Sequence, residues 1–143
     1  MKKIALFLVL AVSVMLAVSC KSSQRVTDDT FRAIYNKYYD DLILEGAKEY
    51  TVKSGDTLAQ ISNTLYGDGY YYPVIMLASK NVVLDQDRIR PGMTLVVPVL
   101  QTNLDRPQSR AAVKGVLLDC AKIEDSRGRK NTAAGLRDHA DKL

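Results

Sequence analysis

Apolar residues recur every three to four positions in the first part of the chain, which is the spacing of one helix face. The apolar positions are Phe31, Ile34, Tyr35, Tyr38 and Leu42. Thr27 and the two aspartates after it suit a helix start, because a hydroxyl caps free backbone N–H groups and acidic side chains favour the first turn. We therefore predict an amphipathic helix over residues 30–47.

The middle of the chain predicts a strand followed by a helix. Residues 50–53 alternate between apolar and polar, as in a half-buried strand, and residues 54–56 read Ser-Gly-Asp, as in a turn. Asp56 or Thr57 can cap the helix, which Gly67 ends. Its predicted apolar face contains Leu58, Ile61 and Leu65.

A second helix and a second strand follow in the same segment. Pro73 suits the first turn of a short helix that ends near Asn81. Pro91 and Gly92 form a turn before the Val-rich strand 94–97. Strands and helices of these lengths are unstable alone, so we expect the strands to pair and the helices to cover one face.

The last third of the chain, residues 99–143, predicts a helical extension. A polar stretch leads to apolar residues at helical spacing, namely Val113, Val116, Leu117, Cys120 and Ile123. Residues 126–128 form a break, and Asn131 or Thr132 can start a last helix that runs through Ala140. We predict a C-terminal helical pair.

The N-terminus has the pattern of an export signal. Two lysines precede an apolar run, and residues 1–19 end in Ser19 before Cys20. The ending resembles a lipobox, in which the cysteine is acylated and becomes the mature N-terminus, although Ala17 stands where the pattern prefers Leu. A membrane-spanning helix and ordinary signal-peptidase cleavage remain alternatives. Residues 20–29 are then the lipidated cysteine and a spacer.

This resemblance implies a bacterial envelope lipoprotein, held on the periplasmic face of a membrane by its N-terminal lipid. The residue after the cysteine is Lys21. An Asp there would resemble an inner-membrane retention signal, so the outer membrane is favoured over the inner one.

Charge and residue types exclude several functions. Cleavage after Ser19 removes two of the 20 basic residues and none of the 16 acidic ones, and the small remaining excess predicts no nucleic-acid partner. His139 is the only histidine, which excludes a two-His zinc site, and a solvated helix position is its expected role. Cys120 lies on an apolar stripe and is expected in the core. We assign no catalytic residues, metal or cofactor and predict that the protein is not an enzyme.

The motifs of residues 50–98 resemble the LysM family. They comprise the segment from Tyr50 to Leu58, Ile61, Tyr66-Gly67, Asn81, Ile89, and the segment from Arg90 to Pro98. The resemblance implies an α+β fold in which a βααβ module has a two-stranded antiparallel sheet with two helices on one face. Here the N-terminal helix and the C-terminal helical pair flank that module. It also implies binding of peptidoglycan or a related glycan that contains N-acetylglucosamine.

By family position the glycan groove lies between two loops. One contains Ser54, Gly55, Asp56 and Thr57, and the other runs from Asn81 to Ile89 and includes Asp87. Gly55 lets the backbone approach a sugar closely, and Ile89 can pack against an acetamido methyl. The alternatives are that Gly55 serves a turn, that Asp56 and Thr57 cap a helix, and that Ile89 belongs to the core.

The connection between the two helices of the module is longer than in the shortest family members. Residues 68–73 contain three successive tyrosines, which could form an aromatic platform for a sugar or could simply pack. The rival functional hypothesis is a structural or assembly lipoprotein. In that case the helical flanks bind an envelope protein and the LysM fold is a scaffold.

Overall fold

The computed structural model describes residues 28–143, so the export signal, Cys20 and the rest of the chain up to residue 27 lie outside the described residues. Helix α1 is described over residues 28–38. The other elements are β1 (Lys48–Thr51), α2 (Leu58–Tyr66), α3 (Tyr72–Ala78), β2 (Thr94–Val97), α4 (Leu100–Asp105), α5 (Pro107–Ser126) and α6 (Lys130–Asp141). Short 3-10 turns cover Tyr39–Asp41, Gly69–Tyr71 and Gln86–Arg88.

The two strands form one antiparallel sheet, as predicted. Tyr50 lies opposite Leu95 and Thr51 lies opposite Thr94. Leu95 and Val97 point into the core and are buried. Strand β1 begins at Lys48 and ends at Thr51, two residues earlier than predicted at each end. The register explains this difference, because Lys48 pairs with Val97 although its own side chain is exposed.

Helix α2 begins and ends where its capping residues predict. Thr57 accepts a hydrogen bond from the Gln60 backbone, and the Gln60 side chain accepts one from the Thr57 backbone, which together form a capping box. Gly67 ends the helix in the left-handed conformation at φ 77°. Leu58 and Ile61 are buried as expected, but Leu65 is 44% exposed because it lies at the edge of the core.

Helix α3 joins the LysM-like module to the C-terminal flank. All seven of its residues are buried, and the helix contacts both β2 and α5. A helix without a polar face must be covered on all sides. Here the sheet covers one side, and Val113, Val116 and Leu117 of α5 belong to the same core. The module and its helical flank therefore share one hydrophobic core.

The N-terminal helix is shorter than predicted. It ends at residue 38, a 3-10 turn follows, and Leu42 is buried in an extended conformation. The predicted helix up to residue 47 is therefore wrong in its second half, residues 39–47. The cause is Asn103, whose side chain bonds both the backbone N–H and the backbone carbonyl of Ile43 at 2.8 and 3.0 Å. These bonds replace the helical ones.

The C-terminal region contains one more helix than predicted. Helix α4 forms in the stretch read as polar, because Asn103 faces inward, where its side chain also bonds Val99 and Ser109. Helix α5 begins at Pro107, and α6 follows the predicted break. Gly115 and Gly135 allow close helix contacts, since a Cβ atom at either position would overlap the ring of Tyr38 or Tyr70. Within residues 28–143, no helix is both long enough and apolar enough to cross a membrane.

Candidate functional site

The loop after β1 keeps its backbone open to solvent at Gly55. This glycine has φ 87°, a conformation that L-residues with side chains seldom adopt. No atom lies within 4 Å of the position that a Cβ would occupy. Both Ser54 and Gly55 are exposed. A planar or polymeric ligand can therefore reach this stretch of backbone directly.

Asp56 stabilises the conformation of the loop after β1. Its carboxylate accepts hydrogen bonds from the Lys53 backbone N–H and from the Tyr50 hydroxyl, each at 2.8 Å. The Lys53 N–H contributes most to a lowered Asp56 pKa, and the Tyr50 hydroxyl acts in the same direction. Asp56 closes the turn, while Thr57 caps α2. The side chains of both residues are thus engaged inside the protein, as the structural alternative for them expected.

We expect the Asp56 carboxyl to titrate below pH 3.8, its ordinary value. Because the folded-state pKa is lowered, the stabilising contribution is present above that value and is lost as the pH falls through the folded-state pKa. Tyr50→Phe removes one of the two donors and should move the pKa back toward 3.8. Carboxyl ¹³C chemical shifts measure both values, and identical titration curves for the two proteins would contradict this account.

The second predicted loop is held by the C-terminal helices. Arg127 donates to Asp85 at 2.7 Å, and the Asp87 carboxylate accepts from Arg127 and from Arg129 at 2.9 Å each. Asp85 is 6% exposed and also caps the 3-10 turn that contains Gln86. The turn between α5 and α6 therefore fixes the position of this loop.

The two predicted loops meet at a cavity of about 200 Å³. Thr57 lies on one wall and Asp87 on another, so the structure brings these two predicted residues together. Ser54, Gly55, Asp56, Asn81 and Ile89 do not line the cavity. Asn81 is exposed and Ile89 is half-buried against the core. The lining is completed by Leu58, Ala59, Tyr72, Gln86, Glu124, Arg129 and Thr132.

A buried carboxylate lies at the base of this cavity. Glu124 is 1% exposed and accepts hydrogen bonds from Gln86 Nε2 at 2.5 Å and from the Arg129 guanidinium. Arg129 thus bridges Glu124 and Asp87, and the pKa of Arg129 is raised, chiefly by the hydrogen bond to Glu124. The cavity is thus lined by two carboxylates and one guanidinium, and Arg129 forms an ion pair with each carboxylate.

The Tyr72 hydroxyl is buried beside the Gln86 side chain at this cavity. Burial raises the pKa of Tyr72, and a hydrogen bond with the Gln86 side chain opposes that shift. The hydroxyl therefore stays protonated.

Sequence reasoning missed the contribution of the C-terminal helices to this site. The sequence places Tyr72 in a run of three tyrosines and Arg127 in a break between helices, and it predicts no role for Arg129. One signal was available. Glu124 continues the apolar stripe of Val116, Cys120 and Ile123 by helical spacing, so a carboxylate had to be buried beside a basic turn.

The long connection between α2 and α3 packs against α6. The Tyr70 ring lies 4.7 Å from the His139 ring, Tyr71 meets that ring edge-on, and His139 Nε2 lies 2.7 Å from Asp68 Oδ2. The His139 side chain is only 16% exposed, so the prediction of a solvated histidine is wrong. The tyrosines act in packing here.

The remaining candidate side chains show no reactive arrangement. Cys120 is 1% exposed, as the core prediction expected, and burial raises the pKa of its thiol. In residues 28–143, no group of three or more His, Cys, Asp or Glu side chains is arranged to hold a metal ion.

Comparison with known proteins agrees with the βααβ fold of this segment. Residues 50–98 match the LysM domain family and are a LysM domain. LysM domains are non-catalytic modules for glycans that contain N-acetylglucosamine.

One curated relative is the potassium binding protein Kbp of Escherichia coli O6:H1 strain CFT073. It is 47% identical over 49 residues, which cover 34% of this chain and 33% of Kbp. The chain thus spans about a third of the length of the curated relative that it matches.

Proposed function

We propose that this protein is a lipid-anchored envelope protein that binds peptidoglycan through the LysM domain of residues 50–98, without catalysis. The observation that carries the proposal is the LysM fold of residues 50–98, with an exposed, side-chain-free backbone at Gly55 in the loop after β1. An open backbone N–H can donate to an acetamido carbonyl, and a flat sugar can approach where no side chain intervenes. The engaged side chains of Asp56 and Thr57 preorganise that backbone.

A single shallow groove of this kind binds weakly. We expect a dissociation constant of about 1 mM, roughly −4 kcal/mol, since few sugar groups are desolvated. A tether changes the occupancy, because linking the module beside a polymeric ligand gives effective concentrations on the order of mM. A weak site on an anchored protein can therefore connect membrane and wall.

The anchor is assigned to Cys20, and the outer membrane is its favoured location. We expect Cys20→Ser to move the protein from the membrane fraction to the soluble periplasmic fraction, because no fatty acyl chains can be attached to serine by this route. Fractionation followed by immunoblotting measures the change. Retention of the variant in membranes would instead support an uncleaved, membrane-spanning signal.

We do not propose potassium binding for this protein, although the relative Kbp is named for it. The shared segment is only the LysM domain, and two thirds of that relative have no counterpart in the match. The glycan function is the property that the shared segment supports.

A second candidate function, the assembly lipoprotein, has one observation in its favour. Leu65 and Val99 are 44% and 40% exposed and line a groove of about 420 Å³ beside β1. Exposed apolar grooves often mark protein contacts. The helical flanks themselves are less available to a partner, because their apolar faces are buried against the module.

A sacculus pull-down tests the proposal. The protein without its leader is incubated with purified peptidoglycan and sedimented, and a Leu65→Ser, Val99→Ser variant serves as the matched control. Deleting the flanks would expose the shared core, so point variants are required. We expect both proteins to sediment with peptidoglycan. Failure of the unmodified protein to sediment would contradict wall binding, and loss only in the control variant would show that peptidoglycan binds in the groove beside β1 instead of at the two loops.

A further inference from the structure

Strand β1 has one edge whose backbone groups stay unpaired in the described part of the chain. Strand β2 pairs with the other edge of β1. The outer edge of β2 is itself occupied, because the hydroxyl of Ser79 bonds both the N–H and the carbonyl of Val96, at 2.9 and 3.3 Å. We propose that the open edge of β1 pairs with the same edge of a second copy of this chain. The inference goes beyond the proposed function and does not depend on glycan binding.

Two residues supply the free groups of this edge. In an antiparallel pair, successive residues bond alternately toward the partner strand and away from it. The backbone of Val96 bonds away from β1, so its partner Glu49 points away from β2. Val52 bonds toward β2, so Thr51 also points outward. The outward N–H and carbonyl groups of Glu49 and Thr51 have no other partner among the residues that the structure describes.

The N–H groups on either side of these two residues are engaged within the chain. The Ala47 N–H donates to the Leu44 carbonyl at 3.0 Å, and the Lys53 N–H donates to the Asp56 carboxylate at 2.8 Å. The edge therefore offers two neighbouring donor–acceptor residues and no further free donors. A long extended peptide would leave much of its own edge unpaired here, whereas a second copy presents the same short set of groups.

One register of two copies uses all of these groups. If the strands run antiparallel with Glu49 opposite Thr51 of the second copy, each such pair exchanges two hydrogen bonds, and symmetry repeats the pair. A shift in one direction places Glu49 opposite Glu49, and like charges directly opposite destabilise a sheet. A shift in the other direction places Glu49 opposite Lys53, whose N–H is already engaged. The free groups therefore specify a single two-fold symmetric register.

The side chains on the outer face of the sheet suit this register. Glu49 and Thr51 are both exposed. The Glu49 carboxylate can accept a hydrogen bond from the Thr51 hydroxyl of the second copy, which lies directly opposite. The exposed Lys53 of the second copy is a diagonal neighbour of Glu49, and its ammonium offsets the approach of the two Glu49 carboxylates.

The pairing closes at two copies. Each copy presents the same edge to the other, which is an isologous contact. The four-stranded sheet then ends at β2 on both sides, where Ser79 occupies the backbone of Val96 and hinders further strand addition. A dimer of this kind carries two copies of the Gly55 loop. Two linked sites bind a polymeric ligand more tightly than one site does.

Charge variants at the seam test both the pairing and its register. Thr51→Glu places like charges directly opposite at two symmetric positions, so it should weaken the dimer by about tenfold. Adding Glu49→Lys to Thr51→Glu creates two opposite-charge pairs and should restore the dimer. The matched control is Thr94→Glu, the same change at an exposed position on β2, away from the seam, which should leave the dimer unchanged. Surface changes of this kind have small effects on stability, so all variants should keep the unmodified melting temperature.

Sedimentation equilibrium of the protein without its leader, at increasing concentration, measures the association. The unmodified protein should dimerise reversibly. A monomer at every concentration up to about 1 mM would overturn the inference. An undiminished dimer in Thr51→Glu, an equal loss in Thr94→Glu, or no recovery in the double variant would overturn the pairing through this edge. The sacculus pull-down measures glycan binding separately, so failure of the dimer is distinguishable from failure of the proposed function.

Discussion

Gly55→Trp should reduce retention on peptidoglycan at least about tenfold, which corresponds to roughly 1.4 kcal/mol. The indole would fill the open space beside the loop backbone, where no atom lies within 4 Å of the Cβ position. The positive φ adds backbone strain of about 1–2 kcal/mol. Sedimentation with sacculi measures retention, and circular dichroism checks the fold.

Gly67→Trp is the matched control for this variant. Gly67 has φ 77°, has equally open space, and lies at the opposite end of α2. It should lose similar stability and keep its binding. Full retention of Gly55→Trp, or an equal loss in both variants, would contradict the assigned groove.

Glu124→Leu should lower the free energy of unfolding by about 3–5 kcal/mol, the usual effect of breaking a buried ion pair from one side. The carboxylate is 1% exposed and binds Gln86 and Arg129. Its loss leaves Arg129 half-paired beside a buried apolar side chain and releases the loop that contains Asp87. Urea denaturation monitored by circular dichroism measures the change.

Asp125, the acidic residue next to Glu124, provides the control for this loss of stability. The Asp125 side chain is 28% exposed and pairs with Lys130 and Arg137 near the surface, so Asp125→Leu should cost less than about 1 kcal/mol. Equal effects of the two substitutions would show that Glu124 does not hold the C-terminal helices against the groove.

Local signals in the sequence predicted the elements whose ends are fixed by neighbouring residues. Thr57 and Gln60 define the start of α2, Gly67 defines its end, and the residues around Gly128 separate α5 from α6. Strand β2 has the predicted bounds because a Pro-Gly turn precedes it and Pro98 follows it. These features depend on contacts within a few residues.

The features that could not be predicted depend on contacts between distant residues. Helix α1 ends at residue 38 because Asn103 binds Ile43 across 60 positions, and His139 is enclosed by the tyrosines of the α2–α3 connection. No local sequence pattern around Asn103 or His139 indicates the distant residue that it contacts. For the same reason, the sequence of α4 predicts only a polar stretch.

The candidate site also contains residues that the sequence predicted and residues that it could not predict. The family resemblance predicted both loops, and the structure places Thr57 and Asp87 on one cavity. The contribution of Glu124 and Arg129 to the cavity could not be predicted, because these residues reach the loop only through the packing of α5 on α3.

An NMR titration of the ¹⁵N-labelled protein with N-acetylglucosamine oligomers tests the central claim most directly. We expect the largest amide shifts at residues 54–57 and 86–87, with half-saturation at about 1 mM. Shifts confined to the groove beside Leu65 and Val99, or no shifts at several times that concentration, would contradict glycan binding by this LysM domain.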